Sequence, residues 1–279
     1  MRTIRDDLLR CVFYVAIKPI DGPHQLIGTA FTLSKLIPGG KLESVTKGLG
    51  HAMMMSYVVT AKHVIAGARN KGVQDIYLRV NTRDGGIAYR AYDINAFQLH
   101  PDADVAVLPS YDAVSHDHVA WNMNDCATPE AMKFHDVGVG SEVSIVGLFR
   151  YHTGDARNTP IVRSGNIAGL PEEPVHTKMG PMEVIFVEAR STGGLSGSPV
   201  FVNLGRLVAH DDGTVSATPL ATSGLLGLMH GHYDEPGVSG DDQQRVNVGI
   251  GMVVPVTKIL ELINSPFNLE QEGRESVRD

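Results

Sequence analysis

From residue 11 to residue 254 the chain is a succession of short β-rich runs broken by Gly, Pro and Asp, and no long amphipathic helical stretch separates them. A parallel βαβ fold needs such a helix at each crossover, so the pattern points to antiparallel sheet. The runs fall into two series. The first takes in residues 11 to 18, 26 to 33, 53 to 60, 75 to 82, 87 to 99 and 105 to 108, with Asp21-Gly22-Pro23 and Asp84-Gly85-Gly86 as hairpin breakers. Residues 61 to 68 read as a short helical turn, and the Gly-rich stretch from 36 to 50 as an exposed loop. The second series takes in 142 to 149, 160 to 169, 182 to 188, 199 to 204, 225 to 230 and 246 to 254.

Residues 110 to 136 have little periodicity and read as the connection between two lobes, while 205 to 224 and 233 to 244 read as surface excursions. Pro255 suits a first helical position, and Val256, Ile259, Leu260 and Ile263 recur at helical spacing. The expectation is therefore an N-terminal strand-built lobe over 1–125 and a second over 126–266. One amphipathic helix docks on the second lobe, and a charged tail over 267–279 follows.

With 43% hydrophobic and 20% charged residues the chain has the makings of a substantial core. A formal charge of -7 gives no global reason to bind nucleic acid or an anionic membrane. The apolar run after Arg10 is short, follows Asp6 and Asp7, and lacks a cleavage site, so it reads as a strand rather than a leader. No stretch is long enough for a membrane span. Cys11 and Cys126 stand far apart without metal-type spacing and read as core thiols in a reducing compartment, hence a cytoplasmic protein.

Chemistry concentrates at Ser191-Thr192-Gly193-Gly194-Leu195-Ser196-Gly197-Ser198-Pro199. A serine among glycines is what a nucleophile needs if backbone N–H groups must converge beside it. Its hydroxyl requires a base, and imidazole titrates in the useful range. His63 follows directly on a strand ending in Thr60-Ala61, and Asp104 immediately precedes the apolar Val105-Ala106-Val107-Leu108. A carboxylate at that edge can be buried and hold an imidazole in one tautomer.

Thr60-Ala61-Lys62-His63, Asp104-Val105-Ala106-Val107 and Gly194-Leu195-Ser196-Gly197-Ser198-Pro199 resemble the His, Asp and Ser motifs of the chymotrypsin-fold (trypsin-like) serine peptidases, in that family's chain order. The serine loop is most similar to bacterial glutamyl-endopeptidase and HtrA-type sequences. This resemblance implies an all-β fold of two six-stranded antiparallel β-barrels with a C-terminal α-helix. It also implies a serine endopeptidase with His63, Asp104 and Ser196 as triad, and Gly194 and Ser196 N–H groups as oxyanion hole. The substrate would be a polypeptide, with no metal and no cofactor. Leu195 replaces the aspartate that many secreted members carry before the nucleophile, which removes their N-terminal activation route and leaves loop ordering or a regulatory protein partner as the control.

The family's specificity pocket maps to Arg190, Thr192, His230 and His232, where basic groups would favour an acidic side chain; an apolar pocket with Arg190 in solvent is the competing reading. A catalytically silent, peptide-binding version of the fold is the rival functional class. An esterase elbow is disfavoured because Ser198 stands where Gly-x-Ser-x-Gly needs its second glycine. His116 and His118 alternate around Asp117 but lack a third metal ligand, so they read as part of the linker.

Overall fold

A computed structural model describes residues 6–38, 52–109, 116–189, 194–209, 214–236 and 245–277. Arg190 and Thr192 lie outside the described residues, as do most of the loop expected over 36–50 and part of that over 233–244.

After a short helix α1 (Asp6–Arg10), the first lobe is an eight-stranded sheet. Its strands are β1 (Val12–Ile17), β2 (Gln25–Pro38), β3 (Ala52–Thr60), β4 (Asp75–Asn81), β5 (Ile87–Asp93), β6 (Gln98–Leu99), β7 (Ala106–Leu108) and β8 (Trp121–Asn122). They run in the order β5-β4-β1-β2-β3-β7-β6, with β8 parallel to β2. This sheet stays open where a closed barrel was expected. At one end β5 has no fully buried residue, and at the other β6 is only two residues long; among the described residues no ladder joins the two edges. Helix α2 (Lys62–Asn70) follows β3 after a single residue and buries Val64, Ile65 and Ala68.

The second lobe does close. A short helix α3 (Pro129–Phe134), capped by the Thr128 hydroxyl, leads into a six-stranded barrel. Its members are β9 (Glu142–Gly147), β10 (Ile161–Gly169), β13 (Ile185–Glu188), β14 (Pro199–Ala209), β15 (Val215–Pro236) and β16 (Arg245–Pro255). A side hairpin of β11 (Val175–Thr177) and β12 (Gly180–Met182) stands apart from it. Strands β14 and β15 continue as one paired hairpin, with Leu207 opposite Ala217 and Ala209 opposite Val215, through part of what reads from sequence as a surface excursion. Ile145, Ile167, Val187, Val200 and Met229 fill the barrel.

Helix α4 (Val256–Ile263) buries Val256, Ile259, Leu262 and Ile263. Those side chains join the cluster that holds the first-lobe core, so the helix bridges the lobes rather than docking on the second alone. The stretch read as a charged tail is helix α5 (Pro266–Val277). Its Glu272 is buried against first-lobe Tyr57 and Lys35, and Asn268 bonds Gln98 and the Leu262 carbonyl. Apart from Leu262, those partners come from strands distant in sequence, so no local pattern announces them.

Cys11 and Cys126 are buried free thiols, and burial together with the Asp125 charge pushes Cys126 up to about 12. No helix among the described residues is long and apolar enough to cross a membrane.

Candidate active site

Asp104 sits in the turn between β6 and β7, a turn closed by His100 N–H donating to the Val105 carbonyl. Lys62 at the start of α2 donates to the carbonyls of His100 and Pro101, which pins that turn to the helix. The residue before the helix is Ala61, which has no side chain to cap it. Asp104 supplies the missing acceptor: its Oδ1 takes the His63 N–H at 2.8 Å, satisfying one of the orphan donors of the first turn. The same carboxylate then takes His63 Nδ1–H on Oδ2 at 2.7 Å. Backbone and ring of His63 are thus held by one side chain.

A second imidazole shares that oxygen. His230 Nδ1 lies 2.6 Å from Asp104 Oδ2, and its ring stands edge-on to that of His63 with centroids 5.6 Å apart. Asp104 is wholly buried. Burial alone would raise its pKa, but the N–H donors of His230 and His63 and the imidazole charges outweigh it and hold the carboxyl well below the usual carboxylate range. An ionised carboxylate accepts only, so both rings present Nδ1–H to it, and Nε2 is the His63 ring nitrogen that Asp104 does not engage.

The serine loop is anchored from both lobes. Thr29 of β2 donates its N–H to the Ser196 carbonyl at 2.9 Å and its hydroxyl to the Gly194 carbonyl at 3.0 Å, while Leu148 N–H donates to that hydroxyl. From the barrel, Gly197 N–H donates to the Met229 carbonyl and Met229 N–H to the Ser198 carbonyl. Gly194 and Gly197 have φ of +104° and +82°, and a Cβ at Gly197 would lie 2.2 Å from the Thr29 carbonyl oxygen. Only glycine fits there. Among the described residues, the N–H groups of Gly194 and Ser196 have no protein acceptor.

The Ser196 hydroxyl donates to the His230 carbonyl at 3.4 Å and forms no hydrogen bond with the His63 ring. A groove of about 360 Å³ opens beside it, walled by Ile27, His63, Val64, Leu148, Arg150 and Gly194. His232 lies two residues beyond His230, paired with Gly251.

The structure therefore gathers His63, Asp104, Gly194 and Ser196 at the lobe seam, and places the His230 ring on Asp104. Its role there is invisible in sequence, because the contact joins residues 126 apart. The one signal was its position, directly after the apolar Leu228-Met229 of the strand that pairs with the serine loop. His116 and Asp117 meet cations: Arg90 donates to the His116 ring, and Arg10 and Arg157 to Asp117.

An open sheet and a closed barrel, with a histidine, an aspartate and a glycine-kinked serine loop at their seam, define the two-lobed β architecture of chymotrypsin-like proteins. The family model for the trypsin-like peptidase domain matches residues 45–209, and the chain belongs to that family. The protease domain of MamO from Magnetospirillum magneticum, in its apo form, has the same fold: TM-score 0.50, 16% identity, over 93% of this chain and 98% of that one. Deg5 (TM-score 0.46, 14% identity, 92% and 88% covered) and the inactive form of Rv3671c protease (TM-score 0.47, 14% identity, 92% and 88% covered) are also similar. No curated protein matches the sequence.

Proposed function

We propose that the protein is a serine endopeptidase acting on polypeptides, with Ser196 as nucleophile, His63 as general base and acid, and Asp104 as the group that orients His63. The observation that carries this reading is the pairing of His63 with a buried carboxylate, which leaves Nε2 basic beside a glycine-kinked serine loop. A polypeptide lies in the groove against Ile27 and Leu148. The Ser196 hydroxyl leaves the His230 carbonyl and turns toward His63 Nε2. It attacks the scissile carbonyl as its proton passes to Nε2, and Asp104 stabilises the resulting imidazolium. The carbonyl oxygen gains charge between the Gly194 and Ser196 N–H groups, each such donor contributing about 3 kcal/mol in the transition state. His63 then gives the proton to the leaving amine, and water, activated by the same ring, releases the acyl group from Ser196.

His230 acts through Asp104 as a positioning residue. Its N–H takes one lone pair of Oδ2, so the carboxylate cannot rotate away from His63. A second reading, a silent peptide-binding module, draws on the serine hydroxyl's bond to the His230 carbonyl instead of to His63.

Digestion of a mixed peptide library separates the two. The protease reading expects cleavage products from the wild type, and none from Ser196→Ala or His63→Ala at equal fold. Peptide retention without cleavage by all three proteins would establish the binding module. Cleavage that survives Ser196→Ala would refute the assigned nucleophile.

A further inference from the structure

A second chemistry is open to the atoms that face Asp104. His63 Nδ1 and His230 Nδ1 both converge on one carboxylate oxygen, at 2.7 and 2.6 Å, and the three ligand atoms lie within 4.8 Å of one another. Two imidazoles and a carboxylate supply three of the four donors of a four-coordinate Zn²⁺ site, whereas Mg²⁺ and Ca²⁺ favour all-oxygen shells. The donors also come from three separate parts of the fold: the first turn of α2, the turn before β7, and β15. Such a site is assembled by folding and is absent from the unfolded chain.

We propose that His63, Asp104 and His230 form a reversible inhibitory site for a divalent transition-metal ion of the Zn²⁺ type. The ion takes the place of the two N–H bridges. No proton need be lost: each neutral imidazole moves its proton from Nδ1 to Nε2 and offers the Nδ1 lone pair to the metal, while Asp104 contributes one anionic oxygen. Bonds of about 2.0–2.1 Å require the donor atoms to spread beyond their present hydrogen-bonded separation. The His63 side chain, 35% exposed, borders solvent and has more space to shift than that of His230, 10% exposed. The consequence for catalysis follows from the tautomer. With Nε2 protonated, His63 cannot accept the serine proton, so the metal silences the base without touching Ser196. Inhibition rests on the protease reading; metal binding does not.

The test is a titration of the full chain with Co²⁺, read by the visible d–d absorption of four-coordinate cobalt, followed by displacement with Zn²⁺. The expected result is one ion per chain, unchanged affinity in Ser196→Ala, and at least tenfold weaker binding in His63→Ala and in His230→Ala. His63→Ala, at the more exposed position, serves where His230→Ala fails to fold. Absence of the four-coordinate spectrum, or affinity within twofold of wild type in a folded histidine variant, would overturn the site. Peptide hydrolysis in parallel keeps the two claims apart. A chain that binds cobalt but cleaves nothing retains the metal site and loses the protease reading. One that cleaves but gives no such spectrum does the reverse.

Discussion

Asp104 carries more of the site than its single position suggests. It is wholly buried, caps a helix that has no side-chain cap of its own, and accepts from two imidazoles. Replacing it by Asn keeps the size but puts an amide where Oδ2 accepted two N–H groups, forcing at least one ring into the wrong tautomer. Asp104→Asn is expected to lower kcat by about 10³–10⁴-fold with little change in KM, as for loss of the acid in other triads. Steady-state kinetics on a peptide substrate checks this, and an unchanged kcat would remove Asp104 from the mechanism. His118 supplies a separate readout through stability. Burial, together with the charges of His116, Arg10 and Arg83, lowers its pKa to about 4. The unfolded imidazole takes its proton near pH 6.5, roughly, while the folded one resists until far lower. Stability should therefore fall as pH drops from about 6.5 to about 4, and His118→Gln should flatten that part of a Tm-against-pH curve.

At the scale of elements, the serine loop owes its shape to β2 more than to its own residues. The Thr29 hydroxyl donates to the Gly194 carbonyl and accepts from Leu148 N–H, so Thr29→Val leaves both groups without a partner. That change should cost about 1–3 kcal/mol in chemical denaturation and reduce kcat more than KM, because the oxyanion donors lose their frame. A loss of stability with kcat intact would show the loop to be self-supporting. None of this was legible in the chain, since Thr29 and Gly194 are linked only by the fold. What was legible was local. The strand runs, the break at Thr60-Ala61 where α2 begins, and the glycines around Ser196 declare themselves by period and by backbone freedom. The open edge of the first sheet did not, because closure depends on whether β5 and β6 meet, and neither sequence says so. Helix α5 was missed because its buried face is polar: Asn268 and Glu272 satisfy partners on β3, β6 and α4 rather than forming an apolar stripe.

Across the whole molecule, the C-terminal helices fasten the second lobe to the first. Glu272 meets Lys35 at 2.8 Å and the Tyr57 hydroxyl, and its own side chain is almost fully buried. Removing one partner of a buried pair typically costs about 3–5 kcal/mol, because the other charge is left unpaired. Glu272→Ala should therefore destabilise the chain by roughly that amount, and Glu272→Gln by less, in urea unfolding. Equal stability of all three proteins would mean that α5 does not lock the lobes. The lock matters for function because His63 and Asp104 belong to one lobe and Ser196 and His230 to the other, so their geometry is only as good as the seam. The most direct test of that meeting is a fluorophosphonate probe followed by mass spectrometry. A single adduct on Ser196, formed by the wild type and at least a hundredfold slower in His63→Ala, is the predicted result; an unlabelled Ser196 in the folded wild type, or labelling at the same rate without the imidazole, would contradict it.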